Sequence, residues 1–359
     1  MDITQLLAFG VDQGASDVHL SSGEPPRIRI NGDLKKLDNP SLSQEQVHGM
    51  LFDIMTDAQR KGFEEHRDID FSFHLGDVAR FRVNVFMQQN GEAAVFRTIP
   101  EKILSLDQLG MPRTMKEFCQ REKGLILVTG PTGSGKSTTL AAMIDYINDD
   151  FEGHILTIED PIEFVHKSKK CLVNQRELGA HTHSFANSLR AALREDPDVI
   201  LVGEMRDLET IQLTLTAAET GHLVFATIHT SSAPDTVNRI IDVFPPAQQA
   251  QIRTQFSESI EAVFTQTLLK RKGSGRVAAV EVMTGTTAVR NLIREEKIHQ
   301  LVGTIQVSQK DGMQTMDMAL TDLVTRGIVT REEAQSRSNT PNLFAGPVSV
   351  KATPNQKPR

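Results

Sequence analysis

The sequence predicts an α/β protein: an α+β unit first, then a domain built on a parallel β-sheet, then C-terminal helices. Three observations support this prediction. Up to residue 99, polar and apolar residues alternate in short segments, as in half-buried strands. From residue 124, apolar runs without alternation are separated by helical patterns, which is typical of parallel strands buried on both faces. A glycine-rich loop at 130–138 joins the first such run to a helical pattern.

Composition points to a cytosolic protein large enough for two domains. The chain has 359 residues, 39% of them hydrophobic, and a formal net charge of -7, which argues against a broad basic surface for duplex DNA. Cys119 and Cys171, its two cysteines, form no Cys-x-x-Cys pair, so a tetracysteine zinc module is excluded. We find neither a secretory signal nor an apolar run of about 18 residues. Peripheral association with a membrane protein is compatible with this composition.

The alternating segments predict an N-terminal unit over 1–99. A helical pattern covers 43–55, and Asn90 followed by Gly91 predicts a tight hairpin between the last two strands. In the segment before that hairpin, Phe81, Val83 and Val85 share one face. The predicted strands are 16–20, 27–32, 68–75, 80–88 and 93–99.

The remaining chain divides by composition into four parts. Residues 100–112, with a proline at each end, are interpreted as a linker, and the sheet domain covers 113–284. Helical patterns at 287–301 and 315–327 predict a helical region over 285–337. The last residues, 338–359, are rich in Pro, Asn, Ser and Lys and are predicted to be disordered. The strands predicted in the sheet domain are 124–130, 154–160, 198–204 and 222–228.

The loop GPTGSGKST matches the phosphate-binding pattern G-x-x-x-x-G-K-[ST] in its required context between strand and helix. Glycines let backbone N–H groups turn toward phosphate oxygens, and a helix N-terminus favours an anion. Lys136 is expected to reach the β- and γ-phosphates, and Ser137 to offer its hydroxyl to Mg²⁺. We therefore expect ATP and Mg²⁺, with these nucleotide-binding residues: Gly130, Pro131, Thr132, Gly133, Ser134, Gly135, Lys136, Ser137 and Thr138.

Acidic residues follow two other predicted strands. Glu204 stands where P-loop enzymes place a carboxylate beside Mg²⁺ and the attacking water. It could polarise that water, hold the metal through water, or simply be a solvated loop acid. Glu159, Asp160 and Glu163 cluster after the strand at 154–160, where Mg²⁺ or an arginine would offset their repulsion. Such acids could instead cap a helix or face water.

Two histidines bracket the apolar run in TGHLVFATIHT, 220–230. On one extended strand, His222 and His229 would lie about 23 Å apart on opposite faces, so they cannot share a metal ion. His229 falls at the carboxyl end of the strand, where ligands bind in open α/β sheets, and we expect it to sense the γ-phosphate. His222, at the opposite end, is interpreted as a packing or interface residue.

Arginines can also contact the γ-phosphate, in some P-loop enzymes from a neighbouring subunit. The residue pattern alone does not separate such an arginine from one that forms a surface salt bridge. The candidates are Arg80, Arg82 and Arg97 in the N-terminal unit, and Arg190, Arg194, Arg206 and Arg239 in the sheet domain.

The order of these motifs resembles that of the secretion ATPases of type II secretion and type IV pilus systems. Within that family the chain is most similar to the pilus retraction ATPases, with Val289 where they usually carry isoleucine. Extension ATPases usually have a tetracysteine zinc site that this chain lacks; the accessory retraction ATPases stay an alternative. The resemblance covers roughly 1–335 and rests on the segments 16–34, 130–138, 157–164, 200–207, 220–230, 239–246 and 288–301.

The resemblance implies a hexameric ring at the cytoplasmic face of the inner membrane, each subunit having a PAS-like N-terminal domain and a RecA-like ATPase domain. Hydrolysis would act on an inner-membrane platform protein, return pilins to the membrane and drive twitching motility, with an accessory retraction ATPase as a further partner. Glu159 and Asp160 would bind the nucleotide, and Arg239 is a further candidate for contact between subunits. Catalytic roles would fall to Glu204, Glu163, His229, Arg82 and Arg97.

The segment AVRNLIREE, which begins at Ala288, is needed for retraction rather than for ATP hydrolysis in that family. Its residues predict an amphipathic helix with Val289, Leu292 and Ile293 on one side and Arg290 and Arg294 on another. An ordinary packed C-terminal helix would show the same pattern.

Two other classes of function are considered from the residues alone. A RecA-like nucleic-acid translocase would share the phosphate loop, but the acidic charge and the lack of an aromatic–basic strip weigh against it, so we expect no nucleic-acid partner. A regulatory module that binds nucleotide without turnover is disfavoured by Glu204 and the acidic cluster.

Overall fold

The computed structural model describes residues 2–30, 32–76, 78–99 and 102–344. It confirms the predicted α/β class and contains two β-sheets. The described residues divide into two compact units. The first contains Met1–Ile103, Leu156–Lys169 and Val173–Ser188; the second contains Leu104–Ile155, Lys170–Leu172 and the described residues from Leu189 onward. Part of the predicted linker, Pro100 and Glu101, and most of the predicted tail, 345–359, lie outside the described residues.

The N-terminal part of the first unit is a six-stranded antiparallel sheet with the strand order β3-β2-β1-β6-β5-β4. The strand β3 was not predicted because its four residues are all exposed and carry no apolar alternation. The elements are α1 Ile3–Asp12, β1 Asp17–Ser21, β2 Arg27–Ile30, β3 Asp33–Lys36, α2 Gln44–Asp53, α3 Asp57–His66, β4 Asp68–Leu75, β5 Ala79–Gln88 and β6 Gly91–Ile99.

The predicted apolar face of β5 forms the core of this sheet. Phe81, Val83 and Val85 are fully buried, and Phe81 packs edge-to-face on Phe96 of β6 at 6.4 Å between ring centroids. The hairpin differs slightly from the expectation. Gly91, with φ of +119°, is the first residue of β6, so the two residues before it form the turn.

The second sheet has seven strands in the order β13-β12-β7-β11-β10-β8-β9. Its strands are β7 Gly124–Thr129, β8 His154–Glu159, β9 Leu172–Glu177, β10 Val199–Val202, β11 Leu223–Ile228, β12 Ile260–Lys270 and β13 Arg276–Thr284. The strand β7 pairs in parallel with β11 on one side and with β12 on the other, whereas β13 pairs antiparallel with β12. The buried runs of the sequence predicted four of these strands, β7, β8, β10 and β11, and missed β9, β12 and β13.

Helices connect and follow these strands. They are α4 Arg113–Cys119, α5 Lys136–Asp150, α6 Phe185–Ala192, α7 Leu208–Glu219, α8 Ala233–Asp242, α9 Pro246–Ser259, α10 Thr287–Arg294, α11 Leu301–Val307, α12 Met316–Thr325 and α13 Arg331–Gln335, with short 3₁₀ turns at Ile298–Gln300, Gln309–Asp311 and Pro341–Leu343. Among the described residues, no helix is both long and apolar enough to cross a membrane.

The helix α10 has a tertiary contact that the predicted amphipathic pattern does not contain. Val289 and Ile293 are buried, whereas Arg290 is partly buried and Arg294 is exposed. Arg290 donates to the Ser257 carbonyl at the end of α9, 2.9 Å away, and pairs with Glu261. A long cationic side chain can bond the last carbonyls of a neighbouring helix, which a residue pattern along one helix does not reveal.

Candidate functional site

The predicted phosphate loop lies between β7 and α5, both in the second unit. All six residues of β7 are buried, so the strand holds the start of the loop in the core. At Gly130, φ is +139°, and a Cβ atom would lie 2.3 Å from the Gln266 carbonyl oxygen and 2.6 Å from Ser134 Oγ. No side chain fits there, so the position requires glycine.

The end of the loop leaves polar groups that suit an anion. Gly135 is the N-cap of α5 and has no side chain that could accept from the first N–H groups of the helix. The Ser134 hydroxyl is buried and has no hydrogen-bond partner among the described residues. Lys136 Nζ donates to the carbonyls of Gly130, at 2.8 Å, and Pro131, at 3.1 Å. Backbone donors, an orphaned hydroxyl and an ammonium group together fit a polyphosphate.

The histidine predicted to lie beside the phosphates does contact the loop lysine. Nδ1 of His229 lies 3.2 Å from Lys136 Nζ, and its Nε2 lies 3.0 Å from Glu204 Oε1. Three residues that the sequence singled out separately therefore form one continuous chain of polar contacts. They come from three positions that the parallel sheet brings to one edge: the start of α5, the end of β11 and the segment after β10.

The chemistry of the partners assigns the tautomer of His229. An ammonium group can only donate, so Nδ1 must accept the hydrogen bond from Lys136. The ring proton then resides on Nε2, which donates to the Glu204 carboxylate. The imidazole thus connects a cation to an anion.

The Glu204 carboxylate has a second partner. Burial alone would raise its pKa, but the hydrogen bond and charge of Arg206, together with His229, outweigh burial and lower the pKa below its ordinary value. Arg206 donates to Oε2 at 2.7 Å, whereas His229 holds Oε1. Glu204 is therefore ionised at neutral pH, as a group that accepts a proton or holds a hydrated cation must be.

His222 lies at the other end of β11, as the sequence predicted. Its Nδ1 approaches the Ala217 carbonyl, in the last turn of α7, at 3.0 Å. Its own carbonyl accepts from Gly124 N, at the start of β7. These are packing contacts between elements of the sheet domain, far along the strand from His229.

The acidic cluster belongs to the first unit. Glu159 accepts hydrogen bonds from Thr157 Oγ1 at 2.6 Å and from Gln175 Nε2 at 3.1 Å. Burial of its carboxyl group, reinforced by the nearby charge of Glu163, outweighs these bonds and raises the pKa of Glu159 to about 7. Asp160 is exposed, and Glu163 is partly buried.

The arginines predicted in the first unit are engaged with acids of that unit. Arg97 Nε lies 2.9 Å from the buried Asp17, and Arg82 Nε lies 3.9 Å from Asp70. Arg80 lies 2.9 Å from Glu177, which the sequence did not single out. Glu177 also accepts from the backbone N–H of Ile162, inside the acidic segment, at 3.0 Å.

The arginines of the second unit fall into different settings. Arg190 pairs with Glu209 on the surface, and Arg194 is exposed. Arg239 lines an open groove of about 470 Å³ that begins at Pro131 and His229, beside the phosphate loop. Among the described residues, no three His, Cys, Asp or Glu side chains gather closely enough to hold a metal ion by themselves. Ser137, the predicted Mg²⁺ ligand, lies in the first turn of α5.

One contact of the loop escaped the sequence reasoning altogether. Gln266 is buried in β12 and donates to the Ser134 carbonyl at 2.7 Å. Its strand was not predicted, and a lone glutamine in an apolar segment carries no signal of its partner.

A glycine-rich loop between a buried parallel strand and a helix defines an α/β protein of the P-loop class. Comparison with known families is more specific: the model of the Type II/IV secretion system protein family matches residues 2–336. The chain belongs to this family.

The chain is similar to individual pilus ATPases over nearly its whole length. The type IV pilus retraction ATPase PilT of Pseudomonas aeruginosa is 59% identical over 344 residues, which cover 96% of this chain and all of that protein. The type IV pilus ATPase PilU of the same organism is 38% identical, over 95% of this chain and 90% of its own. A crystal structure of the pilus retraction motor PilT with bound ADP superposes with a TM-score of 0.89, at 49% identity, and covers 96% of this chain and 98% of that one.

Proposed function

We propose that this protein is an ATPase motor that couples ATP hydrolysis to the retraction of type IV pili. The observation that carries the proposal is the continuous contact from Lys136 through His229 to Glu204 at the end of the phosphate loop. It places a phosphate-binding cation and an ionised carboxylate on either side of one imidazole. The identity of 59% to a retraction ATPase over nearly the whole chain supports pilus retraction as the task.

In this proposal the loop residues hold the triphosphate, with Lys136 on the β- and γ-phosphates and Ser137 on Mg²⁺. The metal would neutralise charge on the phosphates. Glu204 orients or deprotonates the attacking water, or holds the metal through water. His229 contacts the γ-phosphate. When hydrolysis removes that phosphate, the hydrogen bond between the imidazole and Lys136 changes. The remaining roles are those expected from the resemblance. We propose nucleotide binding for Glu159 and Asp160, and catalytic roles for Glu163, Arg82 and Arg97.

The motor is proposed to act as a homohexameric ring at the cytoplasmic face of the inner membrane. Its proposed partner is the pilus platform protein, through which hydrolysis returns pilins to the membrane. The similarity to PilT and PilU, both of pilus systems, supports this setting.

The accessory type of retraction ATPase is the alternative. The identity to PilU is 38%, against 59% to PilT over a similar share of the chain, which favours the principal retraction motor. Complementation distinguishes them. The gene should restore twitching to a host that lacks PilT, and restoration only of a host that lacks PilU would reverse the assignment.

The proposed function is tested by measuring phosphate release from ATP by the purified full-length chain, with and without DNA. We expect Mg²⁺-dependent turnover that DNA leaves unchanged, and strong stimulation by DNA would favour a translocase. Deletion of the gene in a piliated host should give excess pili and lost twitching, whereas loss of pili would contradict retraction.

A further inference from the structure

Gln266 is a buried polar side chain with two partners on either side of the phosphate loop. It is 1% exposed. Its Nε2 donates to the Ser134 carbonyl at 2.7 Å, and its Oε1 accepts from the Thr139 hydroxyl at 2.9 Å. Ser134 is the residue before the N-cap of α5, and Thr139, fully buried, is the fourth residue of that helix. One amide on β12 therefore bonds to both the loop and the helix that the loop begins.

The orientation of this amide follows from the chemistry of its partners. A backbone carbonyl can only accept, so the amide nitrogen must face Ser134, and the amide oxygen is left for the Thr139 hydroxyl. The Thr139 bond therefore selects the orientation in which the nitrogen is available to the loop.

The bond to Ser134 has a consequence for the next peptide N–H. In a trans peptide, the carbonyl oxygen and the N–H of the following residue point in opposite directions. Holding the Ser134 oxygen against β12 thus directs the Gly135 N–H away from β12. Gly135 has φ of +91°, a conformation that glycine adopts without strain, so the backbone there has no side chain of its own to restrain it.

We propose that Gln266 is a positioning residue for the phosphate loop. It fixes the direction of the Gly135 N–H before nucleotide arrives, so this donor is not reoriented on binding. This inference rests on the proposed function only in taking the loop as the nucleotide site. Preorganised donors raise affinity because binding no longer includes the entropy of ordering them.

The test compares full-length variants by calorimetric titration with ADP, together with thermal unfolding in the absence of nucleotide. Gln266→Met keeps the length and packing of the side chain but removes both hydrogen bonds. We expect about tenfold weaker binding of ADP, because the variant must order the Gly135 N–H on binding. In steady-state assays, KM for ATP should rise while kcat stays within about twofold, because Glu204 and His229 are untouched.

Thr139 supplies a milder, matched pair. Thr139→Val removes the hydroxyl that orients the amide, whereas Thr139→Ser retains it. Valine should weaken ADP binding about threefold and serine should not, which separates amide orientation from helix packing. This pair also decides the question if Gln266→Met does not fold.

Gln314 is the control for stability alone. It donates to a carbonyl of β13, that of Val280, at 2.7 Å, outside the loop. Gln314→Met should lower the unfolding temperature but leave ADP affinity unchanged. Unchanged ADP affinity in both Gln266→Met and Thr139→Val would overturn the inference. If the unaltered protein bound no ADP, the proposed function itself would fail instead.

Discussion

Nε2 of His229 lies 3.0 Å from Oε1 of Glu204, while the other ring nitrogen faces the lysine of the phosphate loop. The imidazole is therefore in contact with both the loop lysine and the carboxylate, through its two ring nitrogens.

Glu204→Gln should preserve nucleotide binding and abolish most turnover. The amide keeps the shape of the side chain but cannot accept a proton or carry charge, so phosphate release should fall by a factor of about 100 or more. Binding of ADP, measured by calorimetry, should stay within about threefold of the unaltered protein. Glu209→Gln, on the surface beside Arg190, is the matched control. Unchanged turnover in Glu204→Gln would show that another residue activates the water.

Arg206→Gln should move the acid limb of the pH–rate profile to higher pH. Arg206 is the main group that holds the pKa of Glu204 below its ordinary value against the effect of burial. A carboxylate with a lowered pKa stays ionised further into acid, and removal of the arginine raises that pKa. The measurement is kcat/KM against pH, and Arg326→Gln, which breaks a surface pair with Asp322, is the control. A profile that does not move would remove Glu204 as the titrating base.

Glu159→Gln should flatten the dependence of stability on pH. The pKa of Glu159 is raised from 4.5 to about 7, so the folded state keeps a proton that the unfolded chain releases. The contribution of Glu159 to the free energy of unfolding is thus fully present below pH 4.5 and is lost as pH rises toward 7. The loss is at most about 3 kcal/mol, and less where water reaches the partly exposed residue.

The measurement for Glu159 is urea unfolding without nucleotide at pH 5 and pH 8. The glutamine variant should be the more stable protein at pH 8 and close to the unaltered protein near pH 5. Glu122→Gln, at an exposed position, controls for the loss of one charge. An equal slope in variant and unaltered protein would place the charged form of Glu159 in a better-solvated setting than the structure describes.

Gly130→Ala and Gly133→Ala should differ sharply in stability. Both residues have positive φ, so both substitutions introduce backbone strain, which is about 1 kcal/mol for the left-handed conformation of Gly133. Only at Gly130 would the new methyl group meet backbone, 2.3 Å from the Gln266 carbonyl; at Gly133 no atom lies within 4 Å. Gly130→Ala should therefore cost several kcal/mol in urea unfolding and weaken ADP binding, since the loop must shift. Similar costs at both positions would refute the close approach of loop and strand.

The strands of the sheet domain could be predicted from the sequence where all their residues are apolar. β7 and β11 are apolar throughout and buried on both faces, and the polar motifs after them stand out by contrast. His229 and Glu204 could be placed at one edge because parallel strands end on the same side.

Other features depend on tertiary partners that no local pattern encodes. Gln266 looks like an interruption of an apolar strand until the Ser134 carbonyl is found opposite it. Arg290 occupies the polar side of its helix in the sequence, yet the end of α9 engages it. Glu177 is likewise recognisable only from Arg80 and the Ile162 N–H that converge on it.

The strand β7 is paired along its length on both sides and completely buried. Its amide hydrogens can exchange with solvent only when the whole sheet opens, whereas β3, exposed at a sheet edge, exchanges through local fraying. In a hydrogen–deuterium exchange experiment, the amides of β7 should therefore remain unexchanged at times when exchange at 130–138 already depends on bound nucleotide. The most slowly exchanging strand of the domain then serves as an internal reference for its binding loop.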